Sequence, residues 1–218
     1  MPEDKDLKHL GQIVKEWTNA IDTLRKVTQG VSIFGSARTC PKDKYYKLAY
    51  ETCKELSNSG YDIITGGGPG IMEAANRGAM EGKGKSIGLL INIPHEQHSN
   101  SYIEKAIPFE YFFTRKITFA RFGSVYIVFP GGFGTLDELF EIVTLEQCYR
   151  MPKMPIVLMG KSYWQPIFDW AKNNAVKEGL ISEQDLTLIN ITDDVVEAFK
   201  IIQKYCKGCE QKRPLYTR

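Results

Sequence analysis

Val125 to Glu141 reads VYIVFPGGFGTLDELFE: a short apolar run, a glycine-rich turn and the opening of a helix. Val125, Ile127, Val128 and Phe129 make a β-prone segment, and Leu136, Leu139, Phe140 and Val143 then recur at helical spacing. The turn is therefore placed at a strand's carboxyl end. In an open parallel sheet ligands bind there, and a helix N-terminus offers unpaired N–H groups and a positive dipole end to an anion. A phosphate is the natural guest. Gly131, Gly132 and Gly134 lack Cβ atoms, so a backbone with positive φ and a close approach to a ligand are expected, and Thr135 adds a hydroxyl. Asp137 and Glu138 follow at once, where the dipole favours a carboxylate but a bound phosphate repels it. Spacing alone leaves open whether these acids stabilise the helix start or do chemistry.

Within this stretch, Pro130 to Glu138, PGGFGTLDE, fits the pattern P-G-G-x-G-T-x-x-E. Two further segments precede it: Gly66 to Ala79, GGGPGIMEAANRGA, and the pair Arg115-Lys116. On these three the chain resembles the LOG ("lonely guy") family of phosphoribohydrolases, over about residues 31 to 205. Members of that family, long mislabelled lysine decarboxylases, cleave the N-glycosidic bond of nucleoside 5′-monophosphates, including cytokinin riboside monophosphates and AMP. The resemblance implies an enzyme releasing a free base and ribose 5-phosphate, with no metal and no cofactor. It makes Glu138 catalytic and has Arg115 orient both Glu138 and the substrate by bidentate contacts. By the same resemblance Lys116, Glu96 and Thr144 contact substrate, Glu96 after an I-P step and Thr144 two turns into the central helix. Gly131, Gly132, Gly134, Thr135 and Asp137 are expected around the 5′-phosphate. The family's habit of pairing subunits through helices beside the site implies a homodimer or larger assembly.

Composition fits one domain. The chain has 218 residues, enough for a substantial α/β core and too few for two comfortable ones. Its 28 basic and 26 acidic residues leave a net charge of +2, which gives no bulk electrostatic case for nucleic acid or membrane. The charged N-terminus has no apolar targeting region and no later run approaches a membrane span, so a soluble, cytoplasmic protein is expected. Five cysteines, an odd number, do not suggest a disulfide framework. Cys206 and Cys209 have C-x-x-C spacing but no second pair follows, and His95-Glu96-Gln97-His98 is one residue short of the H-E-x-x-H zinc pattern. Neither is taken as a metal site.

Along the chain, residues 1–28 form an N-terminal helical segment, 29–206 a Rossmann-like domain and 207–218 a polar tail. Leu10, Ile13, Val14, Trp17, Ile21 and Leu24 share one stripe of the first helix, which either packs on the fold or meets a second subunit. Val31 to Phe34 opens the sheet. Its exit loop, Gly35-Ser36-Ala37-Arg38, lacks the G-x-G-x-x-G of a dinucleotide binder, which argues against NAD or FAD. Ser36 is a turn former or a phosphate contact. Tyr61 to Thr65 is the second strand, and the glycines after it, with Gly67 and Gly68 as candidate ligand contacts, suggest that two turns hold two parts of one ligand. Ser86 to Ile91 is read as the third strand, 92–107 as a long exit loop, Ile156 to Met159 as the fifth strand and Thr187 to Ile191 as the sixth.

Strand-helix alternation throughout implies a doubly wound, mostly parallel α/β sheet with its cleft at the switch point. Two other functions stay open. One is a carrier of a nucleotide or of molybdenum cofactor, built on similar glycine turns; the other is a nucleic-acid-binding Rossmann module, which the near-neutral charge disfavours. Sequence does not say which base a substrate would carry.

Overall fold

The computed structural model describes residues 4–93 and 98–206. The elements run α1 (Asp4–Leu24), β1 (Gly30–Phe34), α2 (Lys44–Asn58), β2 (Asp62–Thr65), α3 (Ile71–Met80), β3 (Ser86–Ile91) and β4 (Lys105–Phe109). They continue with α4 (Phe112–Phe122), β5 (Gly123–Val128), α5 (Phe133–Gln147), β6 (Ile156–Met159), α6 (Lys161–Trp170), β7 (Ile189–Thr192) and α7 (Val195–Cys206). One seven-stranded sheet has the order β4-β3-β2-β1-β5-β6-β7, and every neighbouring pair is parallel. The chain leaves β1 toward one edge, then returns to place β5 on β1's other side. The switch point therefore lies between the exits of β1 and β5.

Side chains alternate across the sheet as the pleat requires. Val31 and Ile33 of β1, Val125 and Ile127 of β5, and Val157 and Met159 of β6 face α2, α3 and α7. Phe34, Tyr126, Val128, Ile156 and Leu158 point the other way, into a layer built by Leu24 of α1, Phe119 of α4, Leu139 of α5 and Trp164 of α6. Helices thus cover both faces, which is why the parallel strands read as continuous apolar runs. α1 packs on this second layer: Glu16 accepts from Thr114 Oγ1 at 2.7 Å and from the Glu110 amide at 3.0 Å. Its other side stays bare, with Leu7, Leu10, Val14 and Ile21 exposed.

The expected long loop over 92–107 is cut short by a strand. β4 pairs with β3 from Ile87↔Lys105 to Ile91↔Phe109, so the sheet has seven strands where six were expected. Pro108 and Lys105 disguise it in the sequence, and both are tolerated because β4 is an edge strand with one side of its backbone unpaired. Near the other edge, the six residues Glu183–Leu188 form a 3-10 turn capped by Ser182 and Asp185, which moves the last strand's start to Ile189. α5 ends at Gln147, and Tyr149 turns the chain with φ 56.

Candidate active site at the switch point

The exits of β1 and β5 are tied together. The Ser36 amide donates to the Pro130 carbonyl at 3.0 Å, and the Tyr163 hydroxyl donates to the Gly131 carbonyl. A Cβ on Gly131 would lie 2.2 Å from Thr135 Oγ1, so that glycine is demanded by the protein's own packing. Gly132 and Gly134 differ: a Cβ on either would meet nothing within 4 Å. Nor does any of the three central glycines have positive φ, contrary to the sequence expectation; Gly132 is extended, at φ −89 and ψ −157. Packing and backbone strain therefore leave the glycine identity of 132 and 134 unexplained. Gly132 is the N-cap of α5 and gives no side-chain cap, so the first amides of the helix face this open space. Thr135 is buried beside them, and Phe133 projects almost fully into solvent.

The second glycine turn has a different logic. Gly67 and Gly70 have φ of 76 and 68, and a Cβ on Gly66 would lie 2.2 Å from Arg115 Nη2. Three of its four glycines are thus accounted for by conformation or packing, which weakens the inference that their number implies a ligand. What fixes this turn is a buried polar network: Thr65 Oγ1 donates to Asn76 Oδ1 at 2.6 Å and accepts from the Gly67 amide at 2.9 Å. Asn100 closes it, with its amide on the Gly67 carbonyl and Nδ2 on the Gly68 carbonyl, both at 2.9 Å. Sequence reasoning missed Asn100, since a lone Asn in a loop carries no local signal.

Arg115 and Lys116 point to different places because consecutive helical residues face about 100° apart. Arg115 is buried; its Nε donates to the Leu89 carbonyl at 2.8 Å and Nη2 to the Gly66 carbonyl at 3.2 Å, with Phe119 stacked at 5.5 Å. It thus braces the exits of β3 and β2. Burial lowers its pKa from the ordinary guanidinium value, and the charge of Glu138 opposes that shift. Lys116 instead crosses to α5, 3.1 Å from Asp137 and 3.2 Å from Glu141. It neutralises the two exposed-side acids of that helix, so Asp137 sits in an ion pair at the site's edge.

Glu138, on the same helix, has no ion pair within 4 Å among the described residues. Partly buried, its carboxyl is pushed up from 4.5 to about 7, chiefly by desolvation and further by Asp137 and Glu141, while Arg115 and Lys116 pull it down. The expected bidentate clamp between Arg115 and Glu138 is replaced by an influence through space, the guanidinium being occupied by two carbonyls.

Other sequence candidates scatter. The Ser36 hydroxyl accepts from the Arg38 amide at 3.0 Å and its carbonyl from the Ile71 amide, the behaviour of a turn former beside the central turn. Thr144 is exposed two turns along α5, on the ridge of Asp137 and Glu141. Glu96, with most of the H-E-x-H run, and Cys209 lie outside the described residues. Glu73, in the first turn of α3, accepts from the Tyr46 hydroxyl at 2.8 Å. Among the described residues no group of His, Cys, Asp or Glu could hold a metal, and no helix is long and apolar enough to cross a membrane. A cavity of about 320 Å³ opens above the second glycine turn, beyond Arg115, at the exits of β2, β3 and β4.

Fold and site together define a doubly wound parallel α/β protein with an open helix N-terminus and a desolvated carboxylate one turn inside it. A family model described as "Possible lysine decarboxylase" matches residues 72–202, and the chain belongs to this family, the LOG family. It is 32% identical over 153 residues to the cytokinin riboside 5′-monophosphate phosphoribohydrolase LOG of Oryza sativa subsp. japonica, covering 68% of this chain and 62% of the rice protein. A protein of that activity from Rhodococcoides fascians is 25% identical, covering 82% of this chain and 91% of its own. Among solved structures, the molybdenum cofactor binding protein of Rippkaea orientalis matches with TM-score 0.60 at 22% identity, over 81% of this chain and 95% of that one. The molybdenum cofactor carrier protein of Chlamydomonas reinhardtii matches at 0.59 and 21%, over 84% and 99%. These last two share the fold.

Proposed function

We propose that the chain is a phosphoribohydrolase that cleaves the N-glycosidic bond of nucleoside 5′-monophosphates, AMP or cytokinin riboside 5′-monophosphates among them, to free base and ribose 5-phosphate. The observation that carries this reading is the placement of Glu138: partly buried, without an ion pair among the described residues, and one turn inside a helix whose N-terminus has no side-chain cap, a setting that pushes its carboxyl up. The phosphate sits against the first amides of α5, in the space that Gly132 and Gly134 leave. The anomeric carbon then lies over Glu138 and Arg115. As the C1′–N bond breaks, positive charge grows on the ribosyl ring, and ionised Glu138 stabilises it. Water adds to C1′ and gives up a proton to Glu138, while the departing base takes a proton from solvent, to which Glu138 then returns its own, so that one water is consumed per bond broken. Arg115 keeps the Gly66 turn in place and tunes Glu138 without binding it.

The names of the curated relatives support this reading, whereas the carriers share the fold alone. Incubating purified protein with a panel of nucleoside 5′-monophosphates and their nucleosides, and reading released base by chromatography, tests it. Base release from monophosphates is expected; none from any of them removes the reading. The exposed apolar residues of α1, together with Phe112, Phe113 and Phe140 near the site, support a homodimer or larger assembly. Light scattering at micromolar concentration giving the monomer mass of 24.8 kDa would remove that part.

A further inference from the structure

Beyond Arg115, the 320 Å³ cavity has a composition that the phosphate and ribose do not explain. Leu90, Ile91 and Phe109 give it apolar walls and the backbone of the second glycine turn gives it a floor. Four polar side chains line it: Asn92 from the exit of β3, Glu110 from the exit of β4, and His98 and Ser99 from the segment between those strands. The two strands run side by side, and the Asn92 amide donates to the Phe109 carbonyl at 3.0 Å, so the pair is set by sheet register. Asn92 Nδ2 lies 3.3 and 3.2 Å from the two oxygens of Glu110. A carboxylate offers no donor, so the NH₂ of Asn92 has to face it. The pair therefore presents one remaining amide N–H beside a carboxylate acceptor.

The cavity also lies at the right reach. From the β5 exit across β1 to β2 and β3 is two to three strand spacings of about 4.8 Å each, comparable to an extended nucleotide. A ligand anchored by its phosphate at α5, with its ribose over Arg115 and Glu138, puts its base between the apolar walls.

Resting on the phosphoribohydrolase reading, we propose that this cavity is the nucleobase subsite and that Asn92 and Glu110 determine its specificity, selecting a 6-aminopurine over a 6-oxopurine. The exocyclic N–H of the aminopurine donates to Glu110, and the adjoining ring nitrogen accepts from Asn92 Nδ2. A 6-oxopurine held in the same register sets its O6 lone pairs against the carboxylate and its N1–H against the Asn92 amide N–H, two unpaired and repulsive contacts. Adenine-type side-chain recognition elsewhere uses the same complementarity of an amide to a ring nitrogen and an amine.

AMP and IMP differ at the 6-substituent and in the hydrogen on N1, the two atoms of the proposed contact, and so isolate it. The wild-type protein is expected to prefer AMP in kcat/KM by at least about tenfold. Glu110→Ala, at an exposed position whose side chain is not in the core, should keep the fold and bring the two substrates within about threefold, mostly by losing AMP. A wild-type ratio already within threefold overturns the inference, as does a preference that survives undiminished in Glu110→Ala; hydrolysis of both nucleotides in those cases leaves the hydrolase reading standing. If the wild-type protein releases base from neither nucleotide, the hydrolase reading is left to the wider monophosphate panel. The subsite is then decided by calorimetric Kd values for AMP and IMP in wild-type protein and Glu110→Ala, with the same ratios expected and the same results overturning it.

Discussion

Replacing Gly134 by Ala should make the protein more stable and its site worse. Gly134 lies in the first turn of α5 without positive φ, and a Cβ there would meet nothing within 4 Å. Alanine in a helix is favoured over glycine by roughly 0.5–1 kcal/mol, because the unfolded chain loses less backbone freedom. For a domain of this size that is a rise in melting temperature of about 1–4 °C, readable by scanning calorimetry. The added methyl occupies the space assigned to the phosphate. Displacing one or two charge-assisted hydrogen bonds of roughly 1.5–3 kcal/mol each should lower kcat/KM for a nucleoside monophosphate by at least about tenfold. If the variant is more stable yet hydrolyses within about threefold of wild type, no ligand group fills that space. The cradle would then be misplaced.

The other expectations concern two carboxyls. Glu138→Gln should lower turnover by at least about a hundredfold with the fold intact. Because Glu138 acts ionised and its pKa is raised to about 7, the wild-type rate should climb as pH rises toward 7 and level off above it; a flat profile between pH 5.5 and 8.5 would contradict that role. Glu146 is buried outside the site, accepts from the Met154 amide at 2.9 Å, and is raised from 4.5 to about 7 by burial. A raised carboxyl stabilises the folded state fully below its unfolded pKa and loses that stabilisation as pH rises through the folded one. Glu146→Gln keeps the acceptor without the ionisation, so its unfolding free energy should gain on wild type between pH 5 and 8.5 by up to about 3 kcal/mol, read as a growing difference in melting temperature. A difference independent of pH would refute the burial account.

Much of this architecture was legible because it is local. The run Val125 to Phe129, the glycines and the helical spacing after them place strand, turn and helix within a residue or two of β5 and α5, and β6 falls at Ile156–Met159 as read. β4 was not legible, since only its place at the sheet edge makes Lys105 and Pro108 acceptable. The glycines were legible as residues but not as reasons. Gly131 and Gly67 are required by the protein itself, Gly132 and Gly134 by nothing in it, and a sequence shows all four alike. The Asn92–Glu110 pair had no signal at all, because the two residues meet only where β3 and β4 leave the sheet together.

The fold that this chain shares with carriers poses, on the proposed reading, the question of what separates holding a phosphorylated ligand from breaking it. A carrier gains from cations around its anion and nothing from a desolvated acid beside it, since moving a carboxyl from 4.5 to about 7 costs the ionised form roughly 3 kcal/mol. The two neighbours of Glu138 on the exposed side of α5 are handled as a carrier would handle them, Asp137 and Glu141 sharing Lys116, and Glu146, outside the site, is capped by the Met154 amide. Of the acids on α5 facing the site, Glu138 is left without an ion pair among the described residues, though Arg115 stands close enough to lower its pKa. That guanidinium is held away from it by the Leu89 and Gly66 carbonyls, so the two charges are kept near but not joined. A joined pair would be neutral and inert. Kept apart, as the proposed reading requires, Glu138 is available to a cation that exists only in the transition state, which is where differential binding raises turnover and not merely affinity.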